Sequence, residues 1–425
     1  MADRMAGLTR RQLLKTAAQT GAVLMAPLVI PGAVLGKDGA VAPSERIVMG
    51  GLGVGNRGRE DLRNMLDEPV VQFVADADCQ VDRAKLVKDM VDKHYGNQDC
   101  VTYHDFRELL ARKDIDGVLI ATGDRWHTMA SIYAAKAGKD IYCEKPCSTT
   151  IAESRALADT VKRYGRVYQA GTQRRNIGNF IYAAHLVHSG KLGKLVTVHA
   201  NTLNPRTSHD WLPGEPEPAK EQVDWDMWLG PCPWRPFNKR YIAGGWRGHF
   251  DFHGGGILEW GAHTVDLCQW VAKADDTAPI EYQPDGNNVL CRYANGIKLV
   301  MRDTGWLGMG TCSVRYECEN GWIETGDSGR MELYPASMRS LHRGYNVPGT
   351  APKFHIQDFL RCIKTRALPA ANASVACQSH IACHAAYIAW QLGRKLTLDP
   401  AKDEFVGDEE ANRMRSRAMR EPWRI

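Results

Sequence analysis

Arg46-Ile47-Val48-Met49-Gly50-Gly51, then Gly53-Val54-Gly55-Asn56-Arg57-Gly58, is the stretch that decides the fold. The apolar run from Arg46 to Gly51 reads as a strand, and Arg57 to Leu66 reads as a helix. Glycines spaced G-x-G-x-x-G between a strand and a helix form a dinucleotide-binding fingerprint. Gly53 permits the tight turn, Gly55 lets a pyrophosphate approach the backbone, and Gly58 lets the helix pack close to the sheet. Asn56 and Arg57 open the helix, whose N-terminus offers N–H groups and partial positive charge to phosphates. Val70 to Ala75 reads as the next strand, closing at Asp76, 18 residues beyond Gly58. A carboxylate there holds a ribose 2′-hydroxyl and repels a 2′-phosphate, which favours NAD over NADP.

Outward from this point, strands and helices alternate. Helices are predicted at Arg83 to His94, Phe106 to Arg112, Thr128 to Ala137 and Ile151 to Tyr164. Strands are predicted at Gly117 to Ala121, Asp140 to Cys143 and Val167 to Ala170. Such alternation implies a parallel, doubly wound sheet. From about Asn179 the text changes. A helix from Phe180 to Ser189 leads into a strand-like run from Leu195 to Thr202, then a Pro/Trp-rich region to Gly256. Further strands are predicted at Asn288 to Tyr293, Ile297 to Arg302, Thr311 to Glu317 and Gly321 to Thr325. Asn295-Gly296 and Glu319-Asn320-Gly321 supply hairpin turns. Helices return at Lys353 to Thr365 and Ser374 to Leu392. The expected fold class is α/β: a doubly wound Rossmann sheet, then an α+β domain with a large, mostly antiparallel sheet. The expected division is 1–42 leader and linker, 43–172 nucleotide domain, 173–425 substrate and oligomerisation domain.

Three further clusters carry chemistry. Ala121-Thr122-Gly123-Asp124-Arg125-Trp126-His127 and Cys143-Glu144-Lys145-Pro146 each follow a predicted strand, at the edge where open α/β sheets bind ligands. A lysine beside a nicotinamide can bind a carbinol or carbonyl oxygen and share its proton. In Gly254-Gly255-Gly256-Ile257-Leu258-Glu259-Trp260-Gly261-Ala262-His263, Glu259 and His263 lie four apart and share a helical face. They form a candidate acid/base pair; the plainer reading is a core-packed helix. His249 and His253 are close enough to raise a metal question, but no metal site is read here. Six of the twelve tryptophans fall between Trp211 and Trp260, and at least one is expected in a sugar-binding cleft, where an indole face stacks on a ring.

The ordered set of glycine loop, Ala-Thr-x-x-x-x-His, Glu-Lys-Pro and Gly-Gly-x-x-x-carboxylate-x-x-x-His resembles the glucose–fructose oxidoreductase/inositol dehydrogenase (Gfo/Idh/MocA) family. The resemblance runs from about Arg46 to the C-terminus. Gly171-Thr172-Gln173-Arg174, Asp224-Trp225-Asp226-Met227-Trp228-Leu229-Gly230-Pro231 and Arg420-Glu421-Pro422-Trp423 resemble an exported bacterial branch of it. The resemblance implies a nicotinamide cofactor across the first domain and an open sheet in the second that often forms a homo-oligomer. It implies that Lys145 and His263 flank the reacting carbinol, with Glu259 the third catalytic candidate. Thr122, His127, Glu144, Lys145 and Gln173 join the glycine loop and Asp76 as cofactor contacts. Arg174, Trp246 and Trp260 are the candidate substrate contacts. Two positions depart from the family pattern: Glu259 stands where Asp is usual, and Gly123 where Pro is usual.

Thr9-Arg10-Arg11-Gln12-Leu13-Leu14-Lys15 ahead of an apolar run looks like a twin-arginine export signal. The run from Ala17 to Leu35 is broken by Pro27 and Pro31, which suits a signal segment better than a spanning helix. A periplasmic or otherwise exported protein, off the membrane once exported, is therefore expected. Net charge is +5, of which the first 42 residues hold +3, so nothing points to nucleic acid. The twelve cysteines are scattered through apolar text, and a protein folded before export folds with reduced thiols, so mostly buried free cysteines are expected.

Export cuts an enzyme off from the soluble nicotinamide pool, so a cofactor carried inside must be regenerated in place. The leading expectation is an oxidoreductase that takes hydride from a sugar or polyol carbinol and returns it to a second sugar, with His263 or Lys145 handling the hydroxyl proton. The alternative is an NAD-dependent glycoside hydrolase working by oxidation, elimination, hydration and reduction. A sugar-binding relic without activity is the third.

Overall fold

The computed structural model describes residues 41–303, 307–342 and 353–425. Ile47–Ile425 form one compact unit, and the residues up to Arg46 form another, of which a 3-10 turn at Pro43–Glu45 is described. The twin-arginine stretch and the apolar run after it lie outside the described residues.

The glycine fingerprint sits at the centre of a six-stranded parallel sheet. Its strands are β1 (Ile47–Leu52), β2 (Val71–Ala77), β3 (Val101–Tyr103), β4 (Gly117–Ile120), β5 (Asp140–Cys143) and β6 (Tyr168–Ala170). The spatial order is β3-β2-β1-β4-β5-β6. β4 and β5 are buried at every position, as continuous apolar text requires when helices cover both faces. The order reverses between β2 and β4, the two neighbours of β1. The segments after β1, β2, β4 and β5 all leave from the carboxyl edge at this reversal, where a crevice opens. The helix Ile151–Tyr164 has both predicted ends. Thr150 Oγ1 accepts the Glu153 N–H, the Glu153 carboxylate turns back to the Thr149 N–H, and Gly165 closes the helix in the left-handed region.

The second sheet has nine strands and is mostly antiparallel. They are β7 (Leu195–Asn201), β8 (Glu281–Asp285), β9 (Asn288–Arg292), β10 (Lys298–Arg302), β11 (Val314–Cys318), β12 (Gly321–Thr325), β13 (Met331–Tyr334), β14 (Leu396–Asp399) and β15 (Glu404–Phe405). The order is β13-β12-β11-β7-β10-β9-β8-β14-β15, with β7 and β10 parallel. The two predicted hairpin turns join β9 to β10 and β11 to β12. One face buries Val289, Cys291, Tyr316 and Ile323 in a core shared with the helices Gly256–Val271 and Ala373–Leu392.

The C-terminus closes against the first sheet. Arg420 donates to the carbonyls of Asp226, Gly230 and Cys232, while Trp423 is 2% exposed and packs edge-on to Trp126. The motifs around Trp225 and Trp423 thus meet, and they brace the wall of the crevice. All twelve cysteines are unpaired, and all but Cys79 and Cys318 are buried. No described helix is long and apolar enough to cross a membrane.

Candidate active site

A cleft of about 380 Å³ runs along the carboxyl edge of the parallel sheet. Gly53 holds φ at +62°, and a Cβ there would lie 2.4 Å from the Thr122 side chain. Gly58 lies behind the loop, outside the cleft lining, where a Cβ would meet Ala121 at 2.5 Å. Glycine at these two positions lets the β1 turn, the segment after β4 and the helix Asn56–Leu66 close on one another. Gly55 caps that helix, and Gly53, Gly55, Asn56 and Arg57 all face the cleft.

The acid expected at the ribose is displaced by two residues. β2 continues to Ala77, beyond its predicted end, which carries Asp76 into the interior. Asp76 is 0% exposed, with neither oxygen in a well-formed hydrogen bond. Burial and the neighbouring Asp78 push its carboxyl well above the usual range. Asp78, past the strand end, lines the cleft and accepts the Gln80 N–H at 2.9 Å. Burial raises it to about 6. Of the two acids, it is Asp78 and not Asp76 that reaches the cleft. The sequence signal was the repeat of carboxylates two apart, of which the later one clears the sheet.

Lys145, after β5, reaches across to the helix Gly256–Val271. Its Nζ donates to Glu259 Oε1 and to the Glu259 carbonyl, both at 3.1 Å. Glu259 Oε2 accepts from His253 Nε2 at 3.0 Å. Burial alone would raise the Glu259 carboxyl, but Lys145 and His253 outweigh it and hold the group well below its ordinary value. Lys145 and Glu259 both line the cleft.

His263, one turn further along, does not line it. Arg174 Nη1 donates to His263 Nε2 at 3.0 Å, and Asp327 holds Arg174 through two bonds of 3.0 and 2.7 Å. The ring is 4% exposed, and its Nδ1 has no partner. Burial first, then Arg174, Lys145 and Arg57, drive its pKa well below the ordinary value. With Nε2 already accepting, the neutral ring carries its proton on Nδ1. His263 is a donor in this arrangement, which corrects its expected role as proton acceptor. Arg174 is committed to His263 and Asp327 and stands outside the cleft lining, as does Gln173, whose side-chain oxygen is buried without a partner.

The other expected cofactor contacts converge. His127 spans the Pro146 carbonyl at 2.6 Å and the Thr122 carbonyl at 3.2 Å, so it ties the segment after β4 to the segment carrying Lys145. The predicted helix began at Thr128; the observed one is Asp124–Lys136, so Asp124 to His127 form its first turn, beginning after Gly123. Arg57 bonds Asp61 at 2.8 Å and Glu144 at 3.5 Å. Burial and the adjacent Glu144 push the Asp61 carboxyl up. Thr122, His127 and Glu144 line the cleft.

Of the tryptophans, Trp246 lines the cleft as expected, whereas Trp260 does not, and its indole N–H is buried without a partner. Trp228, which the sequence did not single out as a contact, lines it too, with the Arg125 guanidinium 3.5 Å from its ring centroid. Arg125 Nε donates to the Trp228 carbonyl at 2.7 Å, while Nη1 is buried with no partner. Burial lowers Arg125 to about 10. That free N–H beside Gly123 suits an oxygen-rich anionic group. Arg83 and Arg247 also reach the cleft, and Arg83 Nη2 holds the Ile242 carbonyl at 2.8 Å. The glycine cradle, helix N-terminus and buried cation together fit a dinucleotide. No local signal marked Arg125, because its partner lies 103 residues away.

The NAD-binding Rossmann model of an oxidoreductase family matches residues 46–172, and that family's C-terminal alpha/beta domain model matches 183–425. An inositol 2-dehydrogenase of Salmonella typhimurium is 26% identical over 42% of this chain and 53% of its own length. A glycosyl hydrolase family 109 protein of Saccharopolyspora erythraea is 30% identical over 44% of each chain. The crystal structure of an aldose-aldose oxidoreductase from Caulobacter crescentus superposes with a TM-score of 0.60 at 19% identity, covering 83% of this chain and all of that one. The chain belongs to the Gfo/Idh/MocA oxidoreductase family.

Proposed function

We propose that this oxidoreductase acts on a carbinol of a sugar or polyol, with a retained NAD and no net redox change. The observation that carries the reading is the placement of Lys145: its Nζ lies in the same cleft as the glycine cradle and Asp78, held by Glu259. A bound nicotinamide supplies the hydride acceptor and donor. Lys145 holds the substrate oxygen and takes or returns its proton. His263 Nδ1–H adds a neutral donor once substrate or a side-chain shift gives it a partner. Arg57 and Arg125 would hold the phosphates of a bound dinucleotide, and Asp78 would hold the adenosine ribose and repel a 2′-phosphate. Trp246 offers an apolar face to a ring. The twin-arginine motif supports export, which in turn calls for recycling the cofactor in place, and the family resemblance supports a homo-oligomer.

The family 109 relative favours a second reading, net hydrolysis of a glycoside by the same cleft. Sugars and glycosides incubated with the purified chain in heavy water separate the two. A keto-sugar paired with a reduced acceptor supports the first. Free sugar carrying deuterium beside the oxidised carbon supports the second. Failure to turn over any member of the panel, with cofactor bound, contradicts both.

A further inference from the structure

The Glu259 carboxylate has two side-chain partners. Oε1 accepts from Lys145 at 3.1 Å and Oε2 from His253 Nε2 at 3.0 Å. The second partner is itself fixed. His253 Nδ1 accepts the Gly255 N–H at 3.2 Å, so the neutral ring must carry its proton on Nε2. The ring is 5% exposed and stands edge-on to Trp246. Asp124 Oδ2 lies 3.8 Å from the same Nε2 and accepts the Gly254 N–H at 3.1 Å. Asp124, His253 and Glu259 are also close enough to hold one cation. Ligation through Nε2 would require the proton on Nδ1, facing the Gly255 N–H donor to donor. The backbone therefore selects hydrogen-bond donation to Glu259.

We infer that His253 is a positioning residue that shares Glu259 with Lys145 and so sets the pH at which Lys145 takes a proton. The inference rests on Lys145 as the group that accepts the substrate hydroxyl proton. In that step the O–H bond breaks toward the Lys145 amine, while the carbinol hydrogen and two electrons pass to the nicotinamide cofactor. Each N–H directed at a carboxylate draws off part of its charge. With His253 donating to Oε2, Glu259 grips the Lys145 ammonium less tightly. Without that donor, the whole carboxylate faces Lys145, and the amine forms only at higher pH. Other charged or titratable groups near this corner are Asp124 beside His253, Glu144 whose carboxylate accepts the Lys145 N–H, Cys312, and His263 with Arg174 and Arg57. Substituting His253 alters the charge of none of them directly.

The test needs no substrate. Full-length protein, wild type and with His253→Phe or His253→Gln, is labelled with acetic anhydride across a pH series, and acetylation of Lys145 is read by peptide mass spectrometry. The expected result is a midpoint about one pH unit higher in His253→Phe, or about tenfold less labelling below it. His253→Gln keeps an N–H donor and should stay near wild type. Coincident midpoints in all three proteins would overturn the inference, as would a Gln variant shifted as far as Phe. A wild-type midpoint that moves on adding a chelator would overturn it too, by placing a cation at Glu259. None of these outcomes bears on the proposed activity, which fails instead if Lys145→Ala turns over at the wild-type rate.

Discussion

Glu259 and His263 lie one turn apart on the same helix, yet they occupy opposite chemical situations. Glu259 is partly exposed to the cleft and held as an anion between Lys145 and His253. His263 is sealed against Arg174, its basic nitrogen is occupied, and burial keeps it neutral. Helical spacing places both side chains on one face. What separates them is what closes over each turn: the segment carrying Lys145 over the first, the Arg174–Asp327 pair over the second. A shared face therefore does not mean a shared environment, and the proposed proton-accepting role belongs to the corner that opens on the cleft.

The largest expected effect tests that difference directly. Lys145→Ala should lower turnover by about 10²- to 10⁴-fold at saturating nucleotide, with the fold retained. His263→Phe, which removes the Nδ1 donor, should cost about tenfold, roughly 1.4 kcal/mol. Equal losses in steady-state kinetics would erase the distinction between the two corners.

Arg174→Leu attacks the sealed corner through stability. It leaves the largely buried Asp327 carboxylate with the Thr311 hydroxyl in place of the Arg174 fork, and removing one member of a buried pair costs about 3–5 kcal/mol. Arg174→Lys should recover little, because the two-pronged fork to Asp327 is lost. Chemical denaturation checks both, and a loss under 1 kcal/mol would mean the pair is solvated.

Acid should expose the buried neutral histidines. Burial lowers His263, His384 and His127, and takes His355 to about 4. An unfolded histidine binds a proton below about 6.5 while these folded ones do not, so stability is full above that pH and falls as pH drops towards 4. His355 alone would contribute on the order of 3 kcal/mol to that loss. The raised carboxyls of Asp61, Asp76 and Asp78 act in the opposite sense over the same window, so the histidine share is read as the difference in denaturation midpoints between wild type and His355→Gln, and parallel profiles would mean His355 is charged when folded.

The smallest effect concerns the two acids after β1's neighbour. Asp78→Asn should speed nucleotide loss by about tenfold, near 1.4 kcal/mol. Asp76→Asn should leave retention unchanged, since Asp76 does not reach the cleft. Stopped-flow release of nucleotide separates the two, and the reverse order would restore the ribose role to Asp76.

The parallel sheet was legible because β1 and β4 carry no polar side chain and β5 is charged only at Asp140, its first residue, and each is followed by a loop with distinctive residues. β3 escaped because three partly exposed residues at an edge carry no readable period. β8 escaped because Pro284 argues against a strand. It is tolerated since β14 pairs only with Glu281 and Tyr282, leaving that edge free at Pro284. Within the site, Lys145, Glu259 and the glycine loop were readable as local motifs. The hidden parts depend on long-range closure: Arg125 stacks on Trp228, His263 is capped by Arg174, and β2 runs one residue past Asp76, which leaves Asp78 and not Asp76 at the cleft. His253 was visible only as a possible metal ligand, because its tautomer depends on the Gly255 N–H.

The central claim is that this cleft keeps its own NAD. The most direct test is to purify the full chain, denature it, and quantify the nicotinamide nucleotide released per chain. The account predicts NAD(H) in near-stoichiometric amount. An empty protein, or one loaded with NADP(H), would contradict it.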